Sequence, residues 1–229
     1  MKWLNQAWTE DRLAAFADLI TEQGGRAAIR ERWKEIPDED RAWLSDFIQA
    51  GRLPTSCTPV FALPVFSPEA CAYLIERTKA LHWSENEDEE EAYRMPELVL
   101  GHTDRALDEE VKRALFAGLA PWLIGIWGRL PSTYASVQMT RYNPAEREGG
   151  NYHIDNDADY TAVIALNGDF EGGGTAIVDG LVGELPMPPL PPGFALIFDG
   201  KRTLHKGLPV TAGTRYLLTV WAANDANSW

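Results

Sequence analysis

The chain has 229 residues, with 34 acidic against 21 basic side chains and a formal net charge of −13. Such an acidic balance argues against a nucleic-acid footprint, which needs basic groups to displace phosphate counterions, and it permits a cationic substrate. The length suits one domain, or one domain with a small appendage, able to bury a substantial core. Cys57 and Cys71 are the two cysteines and form no CxxC, so a disulfide framework is not expected. Met1 to Trp8 lacks the apolar centre of a signal peptide, and no run reaches the roughly 18 apolar residues of a membrane span. A cytoplasmic protein is the expectation.

In chain order, Thr9 can cap a helix that carries Leu13, Phe16, Leu19 and Ile20 on one side and stops at Gly24 and Gly25. A second helix is predicted from Ala27 to Glu35. A third follows Pro37, with Asp38 as cap and Trp43, Leu44, Phe47 and Ile48 facing inward before Gly51. Residues 1–51 therefore read as a helical appendage, a packing layer or the contact of a possible homodimer. The segment GRLPTSCTP is a linker, and the main domain is expected over residues 59–229.

Val60 to Phe66 reads as a short strand broken by Pro64, and Ser67-Pro68-Glu69 as a helix start with proline in the first turn. Glu85 to Glu91 holds six acids in seven residues, too much self-repulsion for a packed element, and is predicted to be a solvated loop. Asp108 to Trp127 fits a long amphipathic helix with Val111, Leu115, Leu119, Trp122 and Ile126 inward. From Tyr134 to Trp221, β-rich runs alternate with Gly and Pro turns, the pattern of a closed or sandwiched antiparallel sheet. The fold class is α+β: a double-stranded β-helix, or jelly roll, flanked by helices. Gly172 to Gly174 is expected to turn a strand tightly.

Chemistry concentrates between Gly149 and Tyr216. His153 and Asp155 lie at i and i+2, so on a strand they share a face and can bind one metal, with His205 closing the site. Two imidazoles and one carboxylate are the ligand set of a non-haem Fe(II) facial triad, which leaves open positions for O2 and a bidentate co-substrate. Arg215 lies in a β-branched and aromatic run, where its planar fork suits a carboxylate such as that of 2-oxoglutarate. His82 and His102 read as ordinary polar residues. Asp157 and Asp159 read first as loop residues, with substrate contact as the sharper alternative.

The ordered set RYNP (Arg141 to Pro144), HID, TAVIALN, DFEGGG, PPGFALIF, LHKGLPVTAGTRY and, upstream, VFSPEAC resembles the 2-oxoglutarate/Fe(II) dioxygenases over about two thirds of the chain. The nearest likeness is to the hydroxylase domain of procollagen lysyl hydroxylases. The resemblance implies that His153, Asp155 and His205 hold iron and that Arg215 binds the 2-oxoglutarate tail. It also implies the reaction: O2-dependent hydroxylation of a substrate C–H bond, coupled to decarboxylation of 2-oxoglutarate to succinate. Tyr142 stands where related prolyl hydroxylases hydrogen-bond 2-oxoglutarate; packing is the alternative for it, and both readings stay open here. Ile154 replaces a histidine inside the motif, the loop from Asn156 to Asp159 is one residue longer, and an asparagine expected near Val163 is missing. These departures bear on substrate, for which a lysine-like amino acid or peptide is the expectation. Other amino acids or small metabolites on the same chemistry, and a non-catalytic metal-binding jelly-roll module, are the alternatives.

Overall fold

The structure, a computed structural model, describes residues 3–9, 13, 15–16, 25–85, 87, 91, 94–129, 133–147 and 149–223. After a short 3-10 turn (Gln6–Thr9) come helices α1 (Gly25–Glu35) and α2 (Asp38–Ala50), strand β1 (Val60–Pro64) and helix α3 (Pro68–Thr78). Strand β2 (Glu97–Val99) leads through one helical turn, α4 (Leu100–Thr103), into the long helix α5 (Arg105–Trp127). The remainder is β: β3 (Thr133–Tyr142), β4 (Tyr160–Ala165), β5 (Phe170–Gly172), β6 (Thr175–Asp179), β7 (Gly183–Met187), β8 (Phe194–Phe198), β9 (His205–Gly207), β10 (Val210–Gly213) and β11 (Arg215–Ala223).

A major sheet in the order β1-β8-β4-β11-β3-β2 faces two smaller sheets, β7-β6-β9 and β10-β5, and every pairing is antiparallel. This is the expected jelly roll. Side chains alternate between the two faces of a strand, so the register sorts the major sheet into rows. One row runs Leu63, Ala195, Ile164, Leu218, Met139, Leu98 across all six strands, and each of its members is buried. These residues share one apolar cluster with Cys71 and Leu74 of α3 and with Val111, Leu115, Leu119 and Trp122 of α5. Each leucine, isoleucine, valine or methionine among them stabilises the fold by about 1.5–3 kcal/mol on removal from water. The opposite face of the same strands points toward the small sheets.

The helix ends follow local chemistry. Ser67 accepts from the Ala70 N–H with Pro68 in the first turn, as expected. The long helix begins at Arg105, capped by Asp104, which accepts from the Leu107 N–H at 3.1 Å. Asp108, where the helix was expected to begin, lies in its first turn, buried and paired with Lys112 at 2.8 Å. Asp38 also differs from expectation. It is the first helical residue after Pro37, its side chain makes no cap hydrogen bond, and it pairs with Arg41; Pro37, with no N–H to donate, has taken the cap position.

Leu13, Phe16, Leu44 and Ile48 join the main cluster, and Phe47 stacks on Trp122 with ring centroids 5.4 Å apart. Leu19, Ile20 and Gly24 lie outside the described residues. The linker is anchored: the N–H groups of Ser56 and Cys57 donate to the buried Asp179 carboxylate, and these bonds hold its pKa below the usual carboxylate value. Glu85, Glu87 and Glu91 belong to no helix or strand, and the other acids of that run lie outside the described residues. Among the described residues no helix is long and apolar enough to cross a membrane.

Candidate active site

Between the major sheet and the small sheets lies a cavity of about 710 Å³. Strands β3 and β11 line it with alternate residues, Ser136, Gln138, Thr140 and Tyr142 on one and Arg215, Leu217, Thr219 and Trp221 on the other, while Glu97 enters from the edge strand β2. Val163 of β4, Thr175 of β6 and the histidine segment complete the wall.

His153, Asp155 and His205 meet in this cavity, each offering a ligand atom within 4.8 Å of the others. The backbone sets them there. His153 and His205 exchange N–H to carbonyl bonds of 2.9 Å in both directions, which extends the β9 edge, and the Asp155 N–H donates to Gly200 O at 3.0 Å. The Asp155 carboxylate lies against both imidazoles, with Oδ1 3.7 Å from His153 Nε2 and Oδ2 3.8 Å from His205 Nε2. Nδ1 of His153 lies 2.9 Å from Asn151 O, and Nδ1 of His205 lies 3.0 Å from Thr203 O. Because a carbonyl only accepts, each Nδ1 carries the proton, and both Nε2 lone pairs are left facing the carboxylate. Burial, reinforced by the neighbouring His153, holds the His205 pKa below its ordinary value against the pull of Asp155, so the ring is kept in the neutral form a metal requires. Asp155 Oδ2 further accepts from the Thr161 hydroxyl at 2.5 Å.

Arg215 is 5% exposed, and burial lowers its pKa to about 10. Its Nη1 donates to Gly174 O at 2.6 Å, and no ion pair joins it to a carboxylate among the described residues. The turn that brings this carbonyl close explains the glycine run. Gly172, Gly173 and Gly174 have φ of +74°, +73° and +102°, and a Cβ on Gly173 would lie 3.2 Å from the Arg215 Cδ. Tyr142, opposite Arg215 in the register, places its ring 6.0 Å from the guanidinium carbon and donates from its hydroxyl to Met95 Sδ at 3.2 Å. The residues present fit an Fe(II) ion and a dicarboxylate: three neutral-or-anionic donors at one end, and a buried planar cation at the other.

Other candidates separate. Arg141 faces away from the cavity, pairing with Glu146 at 2.5 Å and lying over the Trp83 ring. Asp157 lines the cavity, but Asp159 is held by Lys201 at 2.6 Å. Thr161, Glu97 and Gln138 were not singled out from the sequence. A polar residue at every second position of ASVQMTRY was the available signal for Gln138; nothing local marks Glu97, whose place is set by pairing with Thr140 far along the chain.

No family model matches the chain. It is 29% identical over 184 residues to procollagen-lysine,2-oxoglutarate 5-dioxygenase 1 of Mus musculus, covering 73% of this chain and 24% of that protein. The chain thus spans about a quarter of the length of the curated relatives it matches. Among solved structures, a 2OG-Fe(II) oxygenase family oxidoreductase from Burkholderia pseudomallei superposes with a TM-score of 0.58 at 14% identity, covering 80% of this chain and 90% of that one. The alpha-ketoglutarate-dependent epimerase SnoN from nogalamycin biosynthesis gives 0.58 at 18%, covering 82% and 84%. By sequence the chain is similar to the procollagen lysine dioxygenases and by fold to the 2OG-Fe(II) oxygenases, the resemblance that its own motifs carry.

Proposed function

We propose that the protein is an Fe(II)- and 2-oxoglutarate-dependent dioxygenase that hydroxylates a C–H bond of a lysine-like amino acid or peptide. The observation that carries this reading is the meeting of the His153, Asp155 and His205 triad with the buried Arg215 in one cavity. A metal-binding module without turnover gives no role to a guanidinium buried in the same cavity as the candidate metal ligands. The shared fold alone does not choose hydroxylation, since one structural neighbour is described as an epimerase; the sequence likeness to lysine dioxygenases favours it.

When bound, iron and 2-oxoglutarate supply the oxidative chemistry, in which O2 and 2-oxoglutarate convert R–H to R–OH with release of succinate and CO2. The chain supplies position and shielding. The three ligand side chains hold the ion, with both imidazoles fixed as Nε2 ligands by their carbonyl partners. Arg215 pairs with the distal carboxylate and sets the orientation of the co-substrate, with Tyr142 alongside. Beyond these groups the remaining carboxylates on the wall are Glu97 and Asp157, and the apolar side chains Trp221, Met95 and Ile154 lie among them. That lining suits an alkyl chain ending in an amine, with Glu97 as its counter-ion. The reaction is assigned to residues 59–229, since the cavity lining begins at Met95, and the helices of residues 1–51 supply packing.

The test is succinate formation from 2-oxoglutarate with Fe(II) and O2 over a panel of lysine, arginine, proline, lysyl peptides and neutral or anionic metabolites. Stimulation by lysine-like compounds above the no-substrate rate is expected. Stimulation only by neutral or anionic compounds would overturn the substrate, and no succinate under any condition would overturn the reaction.

A further inference from the structure

The triad's carboxylate is gripped at both ends. Its backbone N–H is tied to Gly200 O at 3.0 Å, and its Oδ2 accepts at 2.5 Å from the hydroxyl of Thr161. Thr161 is fully buried on β4, in a row between Phe198 of β8 and Trp221 of β11, so its position is fixed by three strands. A β-branched side chain on a strand has little freedom at χ1, and the direction of its hydroxyl is correspondingly set. The loop backbone is shaped to permit the contact, because a Cβ on Gly200 would come within 2.6 Å of both the Thr161 hydroxyl and Ala158 O.

We infer that Thr161 is a positioning residue that occupies Oδ2 of Asp155, so that the carboxylate presents Oδ1 alone to the metal and leaves room for the co-substrate to chelate. A carboxylate with two free oxygens binds a cation through one or both of them. The hydroxyl has one proton to donate and spends it on Oδ2, which lies 3.8 Å from His205 Nε2, so Oδ1, 3.7 Å from His153 Nε2, is the oxygen that accepts no hydrogen bond among the described residues. This role rests on the oxygenase reading of the site, and it concerns binding, so it can be measured apart from turnover.

The experiment compares the parent with Thr161→Val, which keeps the shape and removes the donor, and Thr161→Ser, which keeps the donor and removes a methyl group. Two quantities are read anaerobically on each full-length protein. They are the Kd for Mn(II) alone by calorimetry, and the Kd for 2-oxoglutarate from the absorption band of its Fe(II) chelate. Thr161→Val is expected to hold Mn(II) within about threefold of the parent, while its 2-oxoglutarate affinity falls at least tenfold; Thr161→Ser is expected to stay within threefold on both. Unchanged 2-oxoglutarate affinity in Thr161→Val would overturn the inference, and so would equal losses in the Val and Ser variants, which would assign the effect to packing. If Thr161→Val fails to fold, Thr161→Ser decides: parental chelate affinity supports the hydroxyl's role, and a tenfold loss refutes it. A parent that binds neither Mn(II) nor 2-oxoglutarate would sink the oxygenase reading itself, an outcome distinct from any of these.

Discussion

The two faces of the major sheet are built from the same strands and have opposite duties. On the outer face, Leu98, Met139, Leu218, Ile164 and Ala195 form a fully buried apolar row under α3 and α5. On the inner face, one residue along each strand, the rows run through Ser136 and Trp221, Gln138 and Thr219, Glu97, Thr140 and Leu217, and finally Tyr142 and Arg215. Toward β1 and β8 the inner face is also apolar, with Val60, Leu196 and Phe198 packed on Ile177 and Met187 of the small sheet. Polarity therefore appears only where the two sheets part. The difference teaches that stability and chemistry are separated by a single residue of register, so a change on one face should leave the other's observable alone.

The comparison breaks most visibly at the triad. His205→Ala is expected to abolish succinate formation and iron binding while leaving the unfolding midpoint near that of the metal-free parent, which a joint measurement of iron content and thermal melting would check. Full activity would remove His205 from the site. On the outer face Leu218→Ala, which leaves a cavity in a fully buried row, should cost about 2–5 kcal/mol of stability with an unchanged Michaelis constant for 2-oxoglutarate in the folded fraction.

Arg215 sharpens the contrast because the two observables should move in different directions. Arg215→Met removes the partner of a charged contact worth about 2–5 kcal/mol, so the Michaelis constant for 2-oxoglutarate should rise at least about 30-fold. Replacing a buried charge by an apolar side chain of similar length should leave the melting temperature of the ligand-free protein unchanged or higher. A fall of many degrees would mean that the guanidinium is structural. Further out on the inner face, Glu97→Gln should lower kcat/KM for a lysine-like substrate about 10- to 150-fold, the value of a hydrogen bond to a charged group of about 1.5–3 kcal/mol, with substrate-free 2-oxoglutarate decay intact.

The smallest effect belongs to the helix that covers the outer face. Asp104 caps α5, and its pKa lies below the ordinary value, chiefly because the Leu107 N–H bonds its charged form, with Arg77 also contributing. A depressed carboxylate contributes stability that is fully present above its unfolded pKa, about 3.9, and is lost as pH falls through the lower folded value. Asp104→Ala should therefore cost about 1 kcal/mol at neutral pH, and parent and variant should converge in chemical denaturation as the pH is taken below 4.

The fold and the triad were legible because both are written in short-range spacing. Period-two runs such as TAVIALN and TRYLLTVWA give strands, glycine runs give the turns, and the i, i+2 pair gives two candidate metal ligands. Helix starts were less legible: the helix expected from Asp108 begins at Arg105, where Asp104 accepts from the Leu107 N–H. Likewise Arg141 and Arg215, or Asp157 and Asp159, are chemically equivalent in the sequence. The sequence by itself singled out the candidate triad and the jelly-roll class from residue type and local periodicity, and Arg215 as the candidate carboxylate partner from the resemblance of its motifs. Only the tertiary structure decided that Arg141 turns outward to Glu146, that Lys201 takes Asp159, that Thr161 reaches Asp155, and that Glu97 lines the cavity. Those outcomes depend on which strands are neighbours and in what register, and strand pairings such as Glu97 with Thr140 or Thr161 with Phe198 join residues too far apart in sequence to leave a local pattern.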